Sequence, residues 1–145
     1  MDEATKALLK LAVGITDEDL AKLPRLIEKI FSNAPRAMGQ IKIVAEVTYS
    51  KYCFAGLKVG DKIVFSPFLN KEETTAPLCP RALIPVLIAL QQWWERTIEL
   101  LDRGIEGIDD LNDTVFAGIA GCLDPGLEHG GLGHVDFKLY AEKIS

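Results

Sequence analysis

"IKIVAEVTYS", residues 41–50, is the stretch that decides the fold class of this 145-residue chain. Apolar side chains recur in it at every second position, namely Ile41, Ile43, Ala45, Val47 and Tyr49. This alternation predicts a strand with one buried face. A second alternating stretch, "VDFKLYAE" at residues 135–142, predicts the last strand. Residues 80–103 read as one long helix that ends at Gly104, so we expect an α+β fold in which a small, mainly antiparallel sheet packs against that helix.

The residues before this strand predict an N-terminal helical arm. A short helix over residues 3–12 should stop at Gly14, and Thr16 should cap the next helix, which Pro24 kinks or splits. The segment "SNAPRAMGQ", residues 32–40, is rich in helix breakers and should end the arm. We therefore divide the chain into a helical arm at 1–38 and an α+β core domain at 39–145.

The middle of the core carries weaker signals. A turn at Gly60 and Asp61 precedes a short strand through Ile63 and Phe65. Pro80 is tolerated in the first turn of the long helix, whose true start we expect near Pro85. Residues 105–121 are ambiguous between a helical turn and a short strand. Neighbouring residues on a helix point about 100° apart, so one tryptophan of the pair 93–94 should enter the core and the other lie at its rim or at an interface.

Composition excludes several functional classes. The net charge of −5 and the pI near 5.0 argue against non-specific nucleic-acid binding, which needs a basic face. The opening "MDEATKALLKLAVG" lacks the features of a secretory signal, and the apolar run "ALIPVLIAL" is far too short to span a bilayer. We therefore expect a cytoplasmic protein that binds neither nucleic acid nor membrane.

The three cysteines are the main functional signal. Cys53, Cys79 and Cys122 are an odd number of widely separated thiols, so a disulfide framework is not expected. Each lies at the end of an element, where chain segments can converge on a metal ion. His129 or His134, in the glycine-rich loop after Cys122, supplies a fourth ligand of the type that zinc or iron prefers. Against this, no two ligands show the close CxxC or HxxxH spacing of ordinary metal sites, and the thiols could equally be small core residues.

Cys79 has the most distinctive local setting. Its sulfur should lie near the free N–H groups that begin the long helix, with Arg81 close by, and both features lower a thiol pKa. A thiol-dependent enzyme would use Cys79 as nucleophile and His129 or His134 as general base. Asp124 or Asp136 would then orient the histidine. The alternative is that Cys79 is a buried small hydrophobe.

Three short segments of the sequence resemble the pattern of a known protein family. "CFAGLKVGD", "PLCPRAL" and "GCLDP", in this order before a terminal strand, resemble the pattern of a family of short uncharacterised three-cysteine proteins that occur largely in anaerobic bacteria and archaea. The match covers residues 41–144, and the helical arm lies outside it. Leu123 departs from the pattern, in which proline is usual. The resemblance implies a shared fold and family-typical positions for the three cysteines, and it implies no activity.

Three hypotheses follow for the function. The first is a metal- or ligand-binding protein whose site lies at the start of the long helix, covered by the loop 123–134 and floored by the Cys53 turn, with a small, partly apolar, carboxylated ligand. The second is an accessory or oligomerising subunit of a larger enzyme system of anaerobic metabolism. In that case the arm, the tryptophan pair and the apolar helix would bind a second copy or a partner protein. The third is the Cys79-dependent enzyme.

Overall fold

A computed structural model of the chain describes residues 1–104, 107–112 and 118–144, without the side chains of residues 34–38 and 101. Its helices are α1 (Glu3–Val13), α2 (Asp17–Leu20), α3 (Arg25–Gln40), α4 (Pro80–Asp102) and α5 (Ile108–Asn112). Its strands are β1 (Ile41–Lys51), β2 (Lys62–Phe65), β3 (Ile119–Gly121) and β4 (His134–Lys143), and a 3-10 turn spans Leu127–His129. The ambiguous region 105–121 thus contains α5 and β3, and its residues 105, 106 and 113–117 lie outside the described part.

The four strands form one antiparallel sheet in the order β2-β1-β4-β3. Ala45 in the middle of β1 lies opposite Ile63 of β2 and Leu139 of β4, so the apolar positions of the three strands share one face. Helix α4 packs on this face and buries Val86 and Trp93 against it. The predicted α+β architecture, with a helical N-terminal region, a small antiparallel sheet and one long helix on the sheet, is confirmed.

The N-terminal region follows the predicted signals until its last helix. Gly14 ends α1 in the left-handed conformation at φ 68°, and the Thr16 hydroxyl accepts a hydrogen bond from the Asp19 N–H at the start of α2. Helix α3 begins after Pro24, but it continues to Gln40, so the expected end within residues 32–40 is wrong. That segment also holds good helix formers such as Ala34 and Met38, which a prediction from breakers alone undervalues.

Helix α3 lies against the second half of α4. The Asn33 amide donates a hydrogen bond of 3.3 Å to Asp102, and the Lys29 ammonium lies 3.5 Å from the same carboxylate. Helix α3 runs to Gln40 and leads directly into β1. The boundary proposed between residues 38 and 39 therefore falls within a continuous helix. None of the described helices is long and apolar enough to cross a membrane.

A register shift between Val47 and Tyr49 changes the end of β1. Such a shift redirects the side chains that follow it. Tyr49 is 45 % exposed, which corrects the expectation that it continues the buried face. Tyr52, just beyond the strand, adopts a positive φ of 50°, which is uncommon for a residue with a side chain. Tyr49, Lys51 and Tyr52 therefore lie at the surface, beside the start of β4.

Helix α4 starts at Pro80 and contains Pro85, so the expected start near Pro85 is wrong. Pro85 has no N–H group, so the carbonyl of Arg81 lacks its usual donor four residues later. The N–H of Leu123 donates to that carbonyl instead, at 2.9 Å, and a guanidinium nitrogen of Arg81 lies 3.3 Å from the Leu123 carbonyl. The proline thus leaves an acceptor that ties the segment after β3 to the first turns of α4.

The tryptophan pair divides as expected. Trp93 is fully buried in the core, and Trp94 is half-buried, with its ring edge-on to that of Trp93 at 6.2 Å between centroids. The indole N–H of Trp93 has no hydrogen-bond partner within the described residues. Burial of an indole N–H without a partner costs free energy, so this position is a weak point of an otherwise apolar core.

Candidate functional site

The carboxylate of Asp124 holds together the loop between β3 and β4. One oxygen accepts hydrogen bonds from the N–H groups of Gly126 (3.1 Å) and Leu132 (3.0 Å), and the other accepts from Gly133 (3.2 Å). The bonds from Gly126 and then Gly133 are the main reason that the pKa of Asp124 lies below its ordinary value. This aspartate therefore closes the loop as a structural link.

Two glycines of this loop leave no room for a side chain. A Cβ on Gly131 would collide with the Asp124 carboxylate and lie 2.7 Å from the Pro125 ring. A Cβ on Gly133 would collide with the carbonyl oxygen of Tyr52 and lie 2.6 Å from that of Lys51. Gly131 thus allows the loop to fold closely on itself, and Gly133 allows it to lie directly on the end of β1.

His134, the first residue of β4, is held between two acceptors. Its Nδ1 lies 2.7 Å from the backbone oxygen of Asp124, and its Nε2 lies 2.8 Å from a carboxylate oxygen of Asp136. A carbonyl and an ionised carboxylate can only accept, so both ring nitrogens must carry protons to form these bonds. The bond to the Asp124 backbone, followed by the bond to Asp136 and its charge, outweighs partial desolvation and raises the pKa of His134 above 6.5.

The sulfur of Cys122 lies beside the imidazole ring of His134. Its distance to Nδ1 of His134 is 3.8 Å, and it accepts a hydrogen bond of 3.3 Å from the N–H of Val135. The Asp124 carbonyl lies 3.6 Å from the same sulfur and accepts the thiol proton. Cys122, His134 and Asp136 therefore form a cysteine–histidine–carboxylate line, a combination that the sequence suggested for Cys79 instead.

Two cavities meet at His134. The larger, a cleft of about 470 Å³, lies between the loop and the end of β1; it is lined by Tyr49, Lys51, Tyr52, residues 125–129, Leu132, Gly133 and His134. The smaller, of about 80 Å³, is bordered by all three cysteines. Gly133 and His134 belong to both linings. We call them the tyrosine cleft and the cysteine cavity.

The predicted metal ligands do not form one coordination group. Cys53, Cys79, Cys122 and His134 border the cysteine cavity, whereas His129 borders the tyrosine cleft. Within residues 1–104, 107–112 and 118–144, no three histidine, cysteine, aspartate or glutamate side chains are arranged to hold a metal ion. Both nitrogens of His134 are already engaged in hydrogen bonds. The side chains thus do not fit a zinc or iron ion as they stand, and no step below uses a metal.

The structure also separates the roles suggested for the acids and for Cys79. Asp136 contacts His134, whereas the Asp124 carboxylate is occupied by loop N–H groups. Cys79 immediately precedes α4, and its carbonyl accepts hydrogen bonds from Ala82 (3.1 Å) and Leu83 (2.8 Å), so its backbone caps the helix. Cys79 and Cys122 both border the cysteine cavity, but the sulfur with a histidine contact is that of Cys122.

Sequence reasoning missed the aromatic wall of the cleft. The segment "TYSKY", residues 48–52, places two tyrosines and a lysine within five residues at the end of a predicted strand. This cluster of two tyrosines and a lysine was the signal from which a binding surface could have been predicted. Their direction was not readable, because it depends on the register shift after Val47 and on the positive φ of Tyr52.

Comparison of the chain with protein-family models, curated proteins and solved structures finds no match. The resemblance to the three-cysteine family therefore stays a prediction. The three positions that it links do border one cavity, which is an observation about this chain and brings no activity with it. Function is accordingly inferred from the geometry of the two cavities.

Proposed function

We propose that the protein binds a small, partly apolar molecule with a carboxylate group in the tyrosine cleft. The observation that carries this proposal is that the Asp124 carboxylate already folds the loop between β3 and β4 onto itself. Because Asp124 already binds three of its N–H groups, the cleft wall exists before any ligand arrives, and a preformed wall reduces the ordering cost of binding. The cleft volume of about 470 Å³ lies in the usual range for small-molecule sites.

The cleft lining suits an apolar body and an anionic end. Tyr49 and Tyr52 offer aromatic surface on one side, and Leu127 and Leu132 offer apolar surface on the other. The Lys51 ammonium lines the cleft together with the acid Glu128, whereas both ring nitrogens of His134 are engaged by Asp124 and Asp136. The Lys51 ammonium lies 5.2 Å from the centre of the Tyr52 ring, so the cation is at the aromatic wall.

A panel of aromatic and short-chain carboxylates, each paired with its neutral amide, tests this proposal by calorimetry and thermal shift. We expect carboxylates such as benzoate to bind more tightly than benzamide, and Lys51→Ala to weaken carboxylate binding about fivefold or more, since two unit charges 4 Å apart interact by about 1 kcal/mol even in water. Lys58→Ala, an exposed lysine outside the lining, is the matched control. Equal binding of acids and amides, no binding by the panel, or equal effects of the two lysine variants would overturn the proposal.

A second candidate function, self-association, is favoured by the outer face of α4. Exposed residues recur along it at three- and four-residue spacing: Arg81, Ile84, Ile88, Gln91 and Glu95. Leu87 adds a further exposed apolar side chain next to Ile88. The stripe is apolar at its centre and carries opposite charges at its two ends, which is a self-complementary pattern for a two-fold interface.

We propose that a second copy of this chain covers the stripe. An antiparallel pair of α4 helices that cross at Ile88 sets Arg81 opposite Glu95 of the partner subunit, and the reverse pair forms by symmetry. Each Arg81 keeps its contact to the Leu123 carbonyl through one nitrogen and has further N–H donors for the carboxylate. Charge pairing at both ends fixes the antiparallel direction, and the isoleucines and Leu87 supply the apolar contact.

Size-exclusion chromatography with light scattering tests the interface against a chain mass of 15.9 kDa. We expect a dimer, which Ile88→Glu converts to a monomer and the exposed control Val59→Glu leaves intact. Arg81→Glu should weaken the dimer, and the added change Glu95→Arg should restore it. A monomer at all concentrations, or a dimer that tolerates Ile88→Glu, would remove this candidate.

A further inference from the structure

The cysteine cavity is bordered by residues from three segments of the chain, among them Cys53, Cys79 and Cys122. Its volume is about 80 Å³, which admits a molecule of only a few atoms. Apart from the cysteines its lining is largely apolar, with Phe54, Ala55, Leu57, Ala82 and Val135, and Arg81 and Asp124 lie at its border. Cys53, Cys79 and Cys122 are all reduced and all partly accessible. Cys122 is therefore within reach of a small molecule that enters the cavity.

Cys122 differs from the other two thiols in what surrounds its sulfur. In the described part of the chain, it is the cysteine whose sulfur makes hydrogen bonds, accepting from Val135 N–H at 3.3 Å and lying 3.8 Å from Nδ1 of His134. Asp136 fixes the far side of that imidazole at 2.8 Å. A donor N–H and an adjacent cation both stabilise negative charge that develops on sulfur when it attacks an electrophile.

We propose that Cys122 is a peroxide-reactive thiol, with His134 as its electrostatic partner and Asp136 as the positioning residue of that histidine. The Cys122 thiol loses its proton to solvent, and its sulfur attacks one oxygen of a hydroperoxide. The S–O bond forms as the O–O bond breaks, and the released hydroxide, or the alkoxide of an organic hydroperoxide, takes up a proton. Sulfur is oxidised by two electrons to the sulfenic acid, and the hydroperoxide is reduced to water, or to an alcohol if it carries an organic group.

The size of the cavity selects this class of electrophile. Hydrogen peroxide has two heavy atoms and fits about 80 Å³, whereas most alkylating metabolites do not. No cofactor or further oxidant is needed, because the Cys122 sulfur supplies both electrons and the hydroperoxide accepts them. This chemistry is independent of carboxylate binding in the tyrosine cleft.

The test follows the oxidation of each cysteine in the folded wild-type protein. Protein is exposed to limiting hydrogen peroxide, trapped with a dimedone probe, alkylated and analysed by peptide mass spectrometry over time. We expect Cys122 to be oxidised first, as the dimedone adduct or as a disulfide that includes it, and at least about fivefold faster than Cys53 or Cys79. Equal rates for the three thiols, or faster oxidation of Cys53 or Cys79, would overturn the proposal without any variant.

Histidine variants test the electrostatic role. His134→Gln should slow Cys122 oxidation about fivefold or more, from the loss of a unit charge about 4 Å from the sulfur. His129→Gln, which changes the other histidine of the chain, should leave the rate unchanged. Cys53 and Cys79 act as internal standards, because general loosening of the fold would speed the oxidation of all three thiols. An unchanged Cys122 rate in His134→Gln would show that the histidine has no such role.

Discussion

Replacement of Gly133 by alanine is the sharpest test of how the loop is placed on β1. The new Cβ would lie 2.6 Å from the carbonyl oxygen of Lys51 and 2.6 Å from the carbonyl carbon of Tyr52. Cβ contacts below 3.0 Å are essentially never seen, and the Cβ would also collide with the carbonyl oxygen of Tyr52, so the two backbone segments must separate by more than about 0.4 Å. Both sides of this contact are backbone, and Lys51 pairs with His134 in the sheet, so no side chain can turn away to relieve it.

We expect Gly133→Ala to lower the free energy of unfolding by about 2–3 kcal/mol, at the upper end of the cost of overpacking. In a chain of this size that corresponds to a melting temperature lower by roughly 5–10 °C. Gly118→Ala is the matched control, because a Cβ there meets no atom of the described residues within 4 Å and the backbone φ is not positive. Its effect should stay within about 0.5 kcal/mol.

Urea unfolding followed by circular dichroism measures both variants, with thermal melts as a second readout. The separation of the loop from β1 should also displace His134, so Gly133→Ala should reduce the preference of peroxide for Cys122. A Gly133→Ala protein as stable as Gly118→Ala would refute the close approach of the loop to the end of β1. It would also remove the wall on which both cavities depend.

Three further predictions concern single contacts. Trp93→Phe should lower the free energy of unfolding in urea by less than about 1.5 kcal/mol, because it removes the buried N–H that lacks a partner among the described residues. Trp93→Ala should lower it by about 3–5 kcal/mol. Equal losses for the two variants would contradict this reasoning. Tyr140→Phe should cost about 1–2 kcal/mol in the same assay, since its hydroxyl donates at 2.6 Å to Glu46, and the control Tyr52→Phe should cost little. The folded-state pKa of His134 is raised, so its stabilising contribution is fully present below pH 6.5 and is lost as pH rises through the folded value. Urea midpoints measured from pH 5 to pH 9 should therefore show a decline that His134→Gln lacks, and identical profiles would count against the imidazolium between Asp124 and Asp136.

Much of the fold could be predicted because its signals are local. Alternation in residues 41–47 and 135–142, the Thr16 cap and Gly14 each act within a few residues, and the structure confirms them. The error in the start of α4 came from a proline. Pro85 is tolerated inside α4 because Leu123, far away in the sequence, donates to the carbonyl that the proline leaves free. No local pattern contains that partner.

For the site, the sequence by itself determined which side chains were available: three thiols, two histidines, and a loop rich in glycine between Cys122 and β4. It also placed the three cysteines at ends of elements, where convergence was conceivable. Only the tertiary structure decided the pairing. His134 lies beside Cys122 because both strands that carry or adjoin them, β3 and β4, are antiparallel neighbours, and because Asp124 folds the intervening loop back onto itself. The register shift in β1 turns Tyr49 outward to form the cleft. Periodicity encodes which face of an element is buried, whereas distances between elements depend on loop closure and strand register, which are set by contacts remote in the chain.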